Sequence, residues 1–167
     1  LRESAERVER LRKAANTDTL TGIANRRVAE RALNLFATGQ RRYAVMMVDI
    51  DHFKAINDQY GHDTGDRILQ RIAEILKSRM RVQDMVARWG GEEFLVIVES
   101  VTRDESASIA ESLRDRVEQG TVEIVKTTIS IGVAHSDSGQ TADQILKRAD
   151  EGLYAAKNSG RNKVVTV

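Results

Sequence analysis

The chain has 167 residues, enough for one domain with a full-sized core, and its 41% hydrophobic and 31% charged content excludes a disordered chain. A net charge of +1 gives no strong pull toward nucleic acid or an anionic membrane. With no cysteine, disulfides and thiolate metal sites are excluded, and three scattered histidines argue against structural zinc. Any metal would be held by oxygen, which points to magnesium, manganese or calcium. No apolar run reaches the ~20 residues of a membrane helix, and no signal peptide is visible. Because the first residue is Leu1 rather than methionine, the chain is expected to be a piece of a longer parent.

Residues 1–16, LRESAERVERLRKAAN, carry Leu1, Ala5, Val8, Leu11 and Ala15 at steps of three and four, which predicts a charged helix with no opening cap. Two readings stand side by side: a helix resting on its own domain, or the end of a coiled-coil linker from an upstream regulatory region. TDTLTGIANRR, residues 17–27, is turn-rich and leads into a helix to about residue 37. RYAVMMVDID, residues 42–51, is an apolar run ending in acids, the pattern of a central strand covered on both faces. HFKAIN opens a helix directly after it. Ile68, Leu69, Ile72, Ile75, Leu76 and Met80 then mark one buried face of a longer helix.

DMVARW, GG and EEFLVIVE, residues 84–99, predict a β-hairpin in which Gly90 and Gly91 supply the positive φ of a tight turn. TRDE at 102–105 is a capping box opening a helix through Val117, and TADQ at 141–144 opens another to about Asn158. TVEIVKTTISIGVAHS between them contains one or two strands, and KVVTV closes the chain with a short one. Strands and helices mixed in this order, with hairpins, predict an α+β domain with a mixed or antiparallel sheet and helices packed on it. No internal repeat, linker or low-complexity segment interrupts it.

Asp49, Ile50 and Asp51 stand at the end of the predicted central strand, where an unpaired carboxylate is costly. The hairpin adds Glu92 and Glu93. If the two strands are neighbours, three or four acids converge and repel one another, which a divalent cation with phosphates would resolve. The plainer alternative is that one acid caps a helix and the others face water. Lys54 lies in the first turn of the following helix, where backbone amides attract phosphate. Asn57 and Asp66 form a candidate base-reading pair, since a carboxylate accepts two hydrogen bonds from a guanine edge. Taken alone, Asp66 reads more often as an acid at a helix start.

DTLTGIANRR, DIDHFKAINDQYGHDTGDRIL, RWGGEEF, TISIGVA and ADEGLYAAKNSGRNKV, in that order, resemble the GGDEF family of diguanylate cyclases from about residue 17 to the end. The signature stands here as GGEEF at 90–94. The resemblance implies a GGDEF fold, a mainly antiparallel five-stranded sheet surrounded by helices, similar to nucleotidyl cyclase and polymerase palm domains. It implies that Asp49, Glu92 and the carbonyl of Ile50 hold Mg2+ or Mn2+. Glu93 would be a second metal ligand or help activate a 3′ hydroxyl. Phe53, Asn57 and Asp66 would bind the guanine nucleotide, Lys54 would contact phosphate, and Lys157 and Arg161 would hold the terminal phosphates. Gly90 and Gly91 would let the nucleotide approach the backbone. The implied reaction joins two GTP into cyclic di-GMP with loss of pyrophosphate, in a homodimer with one GTP per domain. The implied setting is a bacterial cytoplasm, with no nucleic acid partner, no membrane contact required by this domain, and a parent that can still be membrane-anchored.

RVQD, residues 81–84, fits the family's product-inhibition motif, because Asp84 lies six residues before Gly90. Arg81 and Asp84 would then bind cyclic di-GMP, with Arg88 as a weaker third contact; the plain alternative is a surface ion pair worth little. Trp89, Phe94 and the run after it read as core. Arg26 and Arg27 read as structural or dimer-related, His62, Gly61 and Asp150 as structural, and His52 and His135 as incidental. A degenerate receptor-type domain would lack acids or guanine readers. All of them stand here, which favours an enzyme, and another nucleotidyl cyclase would fit the chemistry without the guanine pair.

Overall fold

The computed structural model describes residues 1–136 and 140–167. Eleven elements are α1 (Arg2–Asn16), α2 (Arg26–Thr38), β1 (Tyr43–Ile50), α3 (Phe53–Tyr60), α4 (His62–Ser78), β2 (Met85–Arg88), β3 (Glu93–Glu99), α5 (Arg103–Gly120), β4 (Ile129–His135), α6 (Ala142–Asn158) and β5 (Val164–Thr166). The five strands form one sheet in the order β2-β3-β1-β4-β5. All neighbours are antiparallel except β4 and β5, which run parallel with α6 as the crossover a parallel pair needs.

The period of two along a strand divides the core into two layers. From β1, Ala44, Met46, Val48 and Ile50 face α4 and α5, while Tyr43, Val45 and Met47 face α2 and α6. Strand β3 divides the same way, with Phe94, Val96 and Val98 on the first face and Leu95 and Ile97 on the second. Extending that parity places Asp49 and Glu93, which are directly paired across β1 and β3, on the α2/α6 face. Helix α4 buries Ile68, Leu69, Ile72, Ile75 and Leu76 of the expected stripe, but it ends at Ser78, so Met80 lies beyond it and is only partly buried. Both capping boxes are present, Thr102 with Glu105 and Thr141 with Gln144. Helix α5 runs three residues past Val117, and the segment before β4 holds turns rather than a second strand.

Two expectations need correction. Gly90 and Gly91 do not take a positive φ; among the described residues the glycines that do are Gly22, Gly61 and Gly160. The hairpin closes instead through a longer loop in which the amides of Trp89 and Gly90 both donate to Glu93 O, at 2.8 and 3.2 Å. His135 is not incidental: it is buried, and its Nε2 lies 2.8 Å from Val101 O. Helix α1 buries none of its residues, and Val8 and Leu11 are 64% and 62% exposed, while its last turn meets the domain where Asn25 Nδ2 donates to Ala15 O at 2.9 Å. No helix among the described residues is long and apolar enough to cross a membrane.

Candidate active site at the end of the central strands

Asp49 is only 4% exposed, and its Oδ2 accepts a 2.6 Å hydrogen bond from Lys157 Nζ of α6. Burial pushes the Asp49 carboxyl up. Lys157 opposes that, Asp51 adds to it, and Arg161 opposes it, with a net upward shift. Glu92 and Glu93 are raised as well, by burial and then by the charge of Asp49. The three acids therefore share one field, with Lys157 as the common cation in it. Asp51, counted in the sequence among the converging acids, has another task. It accepts from Ser130 Oγ and Thr128 Oγ1, both at 2.7 Å, and from the Asn162 amide at 2.9 Å. It thereby ties the end of β1 to β4 and to the loop after α6.

That loop sets Arg161. Helix α6 ends in a Schellman arrangement, with the Arg161 amide on Ala156 O at 3.0 Å and Gly160 at φ 118°. Arg161 and Asn162 follow at φ 62° and 47°, in the left-handed region that non-glycine residues seldom occupy. The Asp51 bond to the Asn162 amide, the Asn162 side-chain bond to Glu118 and the 2.8 Å bond from Arg114 hold this conformation.

Two clefts meet at Glu92 and Phe53. One, of about 170 Å3, is lined by Asp49, Ile50, Lys54, Glu92, Lys157 and Arg161, together with the start of α3. His52, the residue before α3, gives no side-chain cap, so the first amides of that helix have no such partner. The other, of about 420 Å3, is lined by Phe53, Asp66, Gly91, Glu92, Glu93 and Arg88. Asn57 packs against Gly65 of α4: a Cβ at Gly65 would lie 1.9 Å from Asn57 Oδ1 and 3.3 Å from Phe53 Cζ. The small residue is thus what lets the carboxamide sit between α3 and α4. The structure does not bring Arg81 and Asp84 into these clefts.

Arg81 and Asp84 line a separate hollow of about 720 Å3 at the other end of β2, with Arg12, Arg31 and Lys77. Asp84 is 3% exposed and both its oxygens are engaged, by Arg81 and by the Glu99 amide, while Arg81 is 45% exposed. Arg88 lies with the Glu92 cleft and not with this hollow.

The acids of the smaller cleft offer oxygen donors and raise one another's pKa, which fits a hard divalent cation. Among the described residues no group of three or more acids or histidines forms a cage by itself.

Acids at a strand end, the start of α3 and the cations Lys54, Lys157 and Arg161 meet across one cleft. The match to known proteins names the class. The family model described as "Diguanylate cyclase, GGDEF domain" matches residues 15–163, and the chain belongs to that family. It is 40% identical over 162 residues to the diguanylate cyclase DgcM of Escherichia coli K12, covering 94% of this chain and 40% of that one. It is 44% identical over 162 residues to the response regulator PleD of Caulobacter vibrioides, covering 90% and 36%. The coiled coil and GGDEF domain of DgcB from Caulobacter crescentus, solved in complex with c-di-GMP, superposes with a TM-score of 0.93 at 29% identity, covering 99% of this chain and 93% of that one. The chain spans about two fifths of the length of the first two relatives.

Proposed function

We propose that the domain is a diguanylate cyclase that condenses two GTP into cyclic di-GMP. The single observation that carries this is the pair of clefts joined at Glu92, one with acids and cations, the other reaching Asp66. A 3′ oxygen of one GTP attacks the α-phosphorus of the other. The bond from that phosphorus to the β-phosphate oxygen breaks, pyrophosphate leaves, and the hydroxyl proton passes to a base. Asp49, Glu92 and the Ile50 carbonyl are the residues that would hold a divalent cation, Mg2+ or Mn2+. When bound, it neutralises phosphate charge and polarises the reacting phosphate. Glu93 would ligate a second cation or take up the proton, a role its raised pKa suits. Lys54 and the α3 amides receive phosphate oxygens, and Lys157 and Arg161 face them from α6 and its loop.

Asn57 and Asp66 read the guanine. Gly65→Ala is therefore expected to raise KM for GTP about tenfold, the worth of a base contact near 1.4 kcal/mol, with kcat within threefold of wild type. An unchanged KM would mean that the Asn57 carboxamide does not need the position it holds.

Each domain holds one GTP, so two copies must face each other. The exposed α1 stripe of Leu1, Val8 and Leu11 is an apolar seam suited to a second α1. The basic hollow at Arg81 suits the anionic product, with Asp84 orienting Arg81 from within. A reaction fed by GTP places the domain in the cytoplasm.

One assay tests the reading: GTP and magnesium over a wide range of protein concentration, with products separated by chromatography. Cyclic di-GMP rising more steeply than linearly is the expected result. No product at any concentration would sink the cyclase assignment, and product binding without turnover would leave a receptor. In the same assay with added cyclic di-GMP, Arg81→Ala is expected to lose product sensitivity at least tenfold; undiminished inhibition would remove the hollow from consideration.

A further inference from the structure

Arg88 ends β2, two residues before Gly90, and its guanidinium folds back onto its own turn. Nε lies 3.2 Å from both Gly90 O and Gly91 O, and Nη2 donates to Gly91 O at 2.8 Å. Nη1 lies 3.2 and 3.3 Å from the two carboxylate oxygens of Asp18. Asp18 is fixed in its turn by the Thr21 amide at 2.9 Å and the Thr21 hydroxyl at 2.6 Å. Burial alone would raise its pKa; the Thr21 bonds and Arg88 bring it below the ordinary value.

Both partners rest on paired backbone. The Asp18 amide donates to Ile23 O at 2.8 Å, Ala24 runs parallel beside Ala87, and the Arg88 amide donates to Ala24 O at 2.9 Å. Each side chain is 19% exposed, so the pair is less open to screening than a surface bridge. Asp18 follows the last residue of α1 by two positions. Gly90 and Gly91 lack the left-handed φ that closes a two-residue hairpin, and their carbonyls turn toward one planar donor instead. A guanidinium, with its fixed fork, can serve both and an acid at once.

We propose that Arg88 is a positioning residue: anchored by Asp18, it fixes the Gly90 and Gly91 carbonyls, aims Glu92 at the wall shared by the two clefts, and ties that turn to the segment leaving α1. The kinetic part of this inference rests on the cyclase reading; the structural part does not. Sequence alone offers Arg88 as a contact to product, which its present bonds would have to release.

The test compares Arg88→Gln, Asp18→Asn and the double variant with the intact chain. Amide hydrogen exchange is read at Trp89 and Gly90, whose amides donate to Glu93 O. Both single variants are expected to speed exchange there at least tenfold, while amides of β1 keep their protection. In turnover, kcat falls at least tenfold with KM for GTP within twofold, because Asn57 and Asp66 are carried by α3 and α4 rather than by this turn. The double variant is no worse than Arg88→Gln alone, since Asp18 acts through Arg88. Unchanged exchange at Trp89 and Gly90, or losses in kcat that multiply in the double variant, would overturn the proposal. If a variant loses β1 protection, Arg88→Lys, which keeps the charge but not the fork, takes its place and is expected to show the same local exchange. An intact chain without turnover defeats the cyclase reading separately, and the exchange result still decides the clamp.

Discussion

Glu92→Gln is expected to lower turnover by about a thousandfold, roughly 4 kcal/mol of transition-state stabilisation, while leaving the fold intact. The side chain lines both clefts and stands in the field of Asp49 and Glu93. An amide of the same shape keeps the packing but loses the charge that a cation and a phosphate must meet. Full turnover in the variant would remove Glu92 from the ligand set.

The same substitution carries a stability prediction of opposite sign. Burial and Asp49 raise the Glu92 pKa in the folded chain. Between the unfolded and the folded pKa, the native state therefore binds more protons than the unfolded one. Stability falls as pH rises through that window and stays lowered at neutral pH. Removing the charge relieves the penalty, so in metal-free buffer at pH 7 Glu92→Gln melts no lower than wild type, and the difference narrows below the unfolded carboxylate pKa. A lower melting temperature at pH 7 would show that the charge is already compensated within the protein. Function and stability would then be opposed at this residue, as is common where acids are gathered for a ligand.

Gly132→Ala should be the most damaging single methyl group in the chain. Gly132 lies in the middle of β4, and α6 crosses directly over it. A Cβ there would stand 2.1 Å from Ala149 O and 2.1 Å from Leu153 N, both backbone atoms that no rotamer change can move aside. Gly152 completes the contact from the helix, with the Gly132 Cα 3.0 Å from its own would-be Cβ. Helix α6 must lift, and it carries Lys157 to Asp49 and joins β4 to β5. Overpacking typically costs about 1–3 kcal/mol; backbone against backbone belongs at the top of that range, a fall of roughly 6–12 °C in Tm. Gly91→Ala is the control, because nothing lies within 4 Å of its Cβ, and its Tm should stay within about 2 °C. Equal melting of Gly132→Ala and wild type would mean that α6 is not seated as described.

Local pattern was enough for much of this molecule. The apolar run of β1, the stripe of α4 and the two capping boxes are written in neighbouring residues, and each formed where its spacing placed it, save that α4 stops short of Met80. The ordered motifs carried the family, and their match spans residues 15–163. The acids at the end of β1 were visible as a problem in need of a partner, because a buried carboxylate always is.

What no local pattern held is which side chains meet. Lys157 reaches Asp49 across 108 residues, Asn162 reaches Asp51 across 111, and Arg88 reaches Asp18 across 70. Asp49 and Asp51 look alike in sequence and both line the smaller cleft, yet one is met by Lys157 and the other is held by Ser130, Thr128 and Asn162. The glycine pair promised a tight turn, and an arginine holding two carbonyls made a longer one. Periodicity and capping act within a few residues, so the sequence by itself determined the elements and the identity of the chemistry-bearing groups. Strand register and the seating of α6 on β4 act across the whole chain, so only the tertiary structure decided which acid meets the lysine, which serves the framework, and what holds Glu92 in its place.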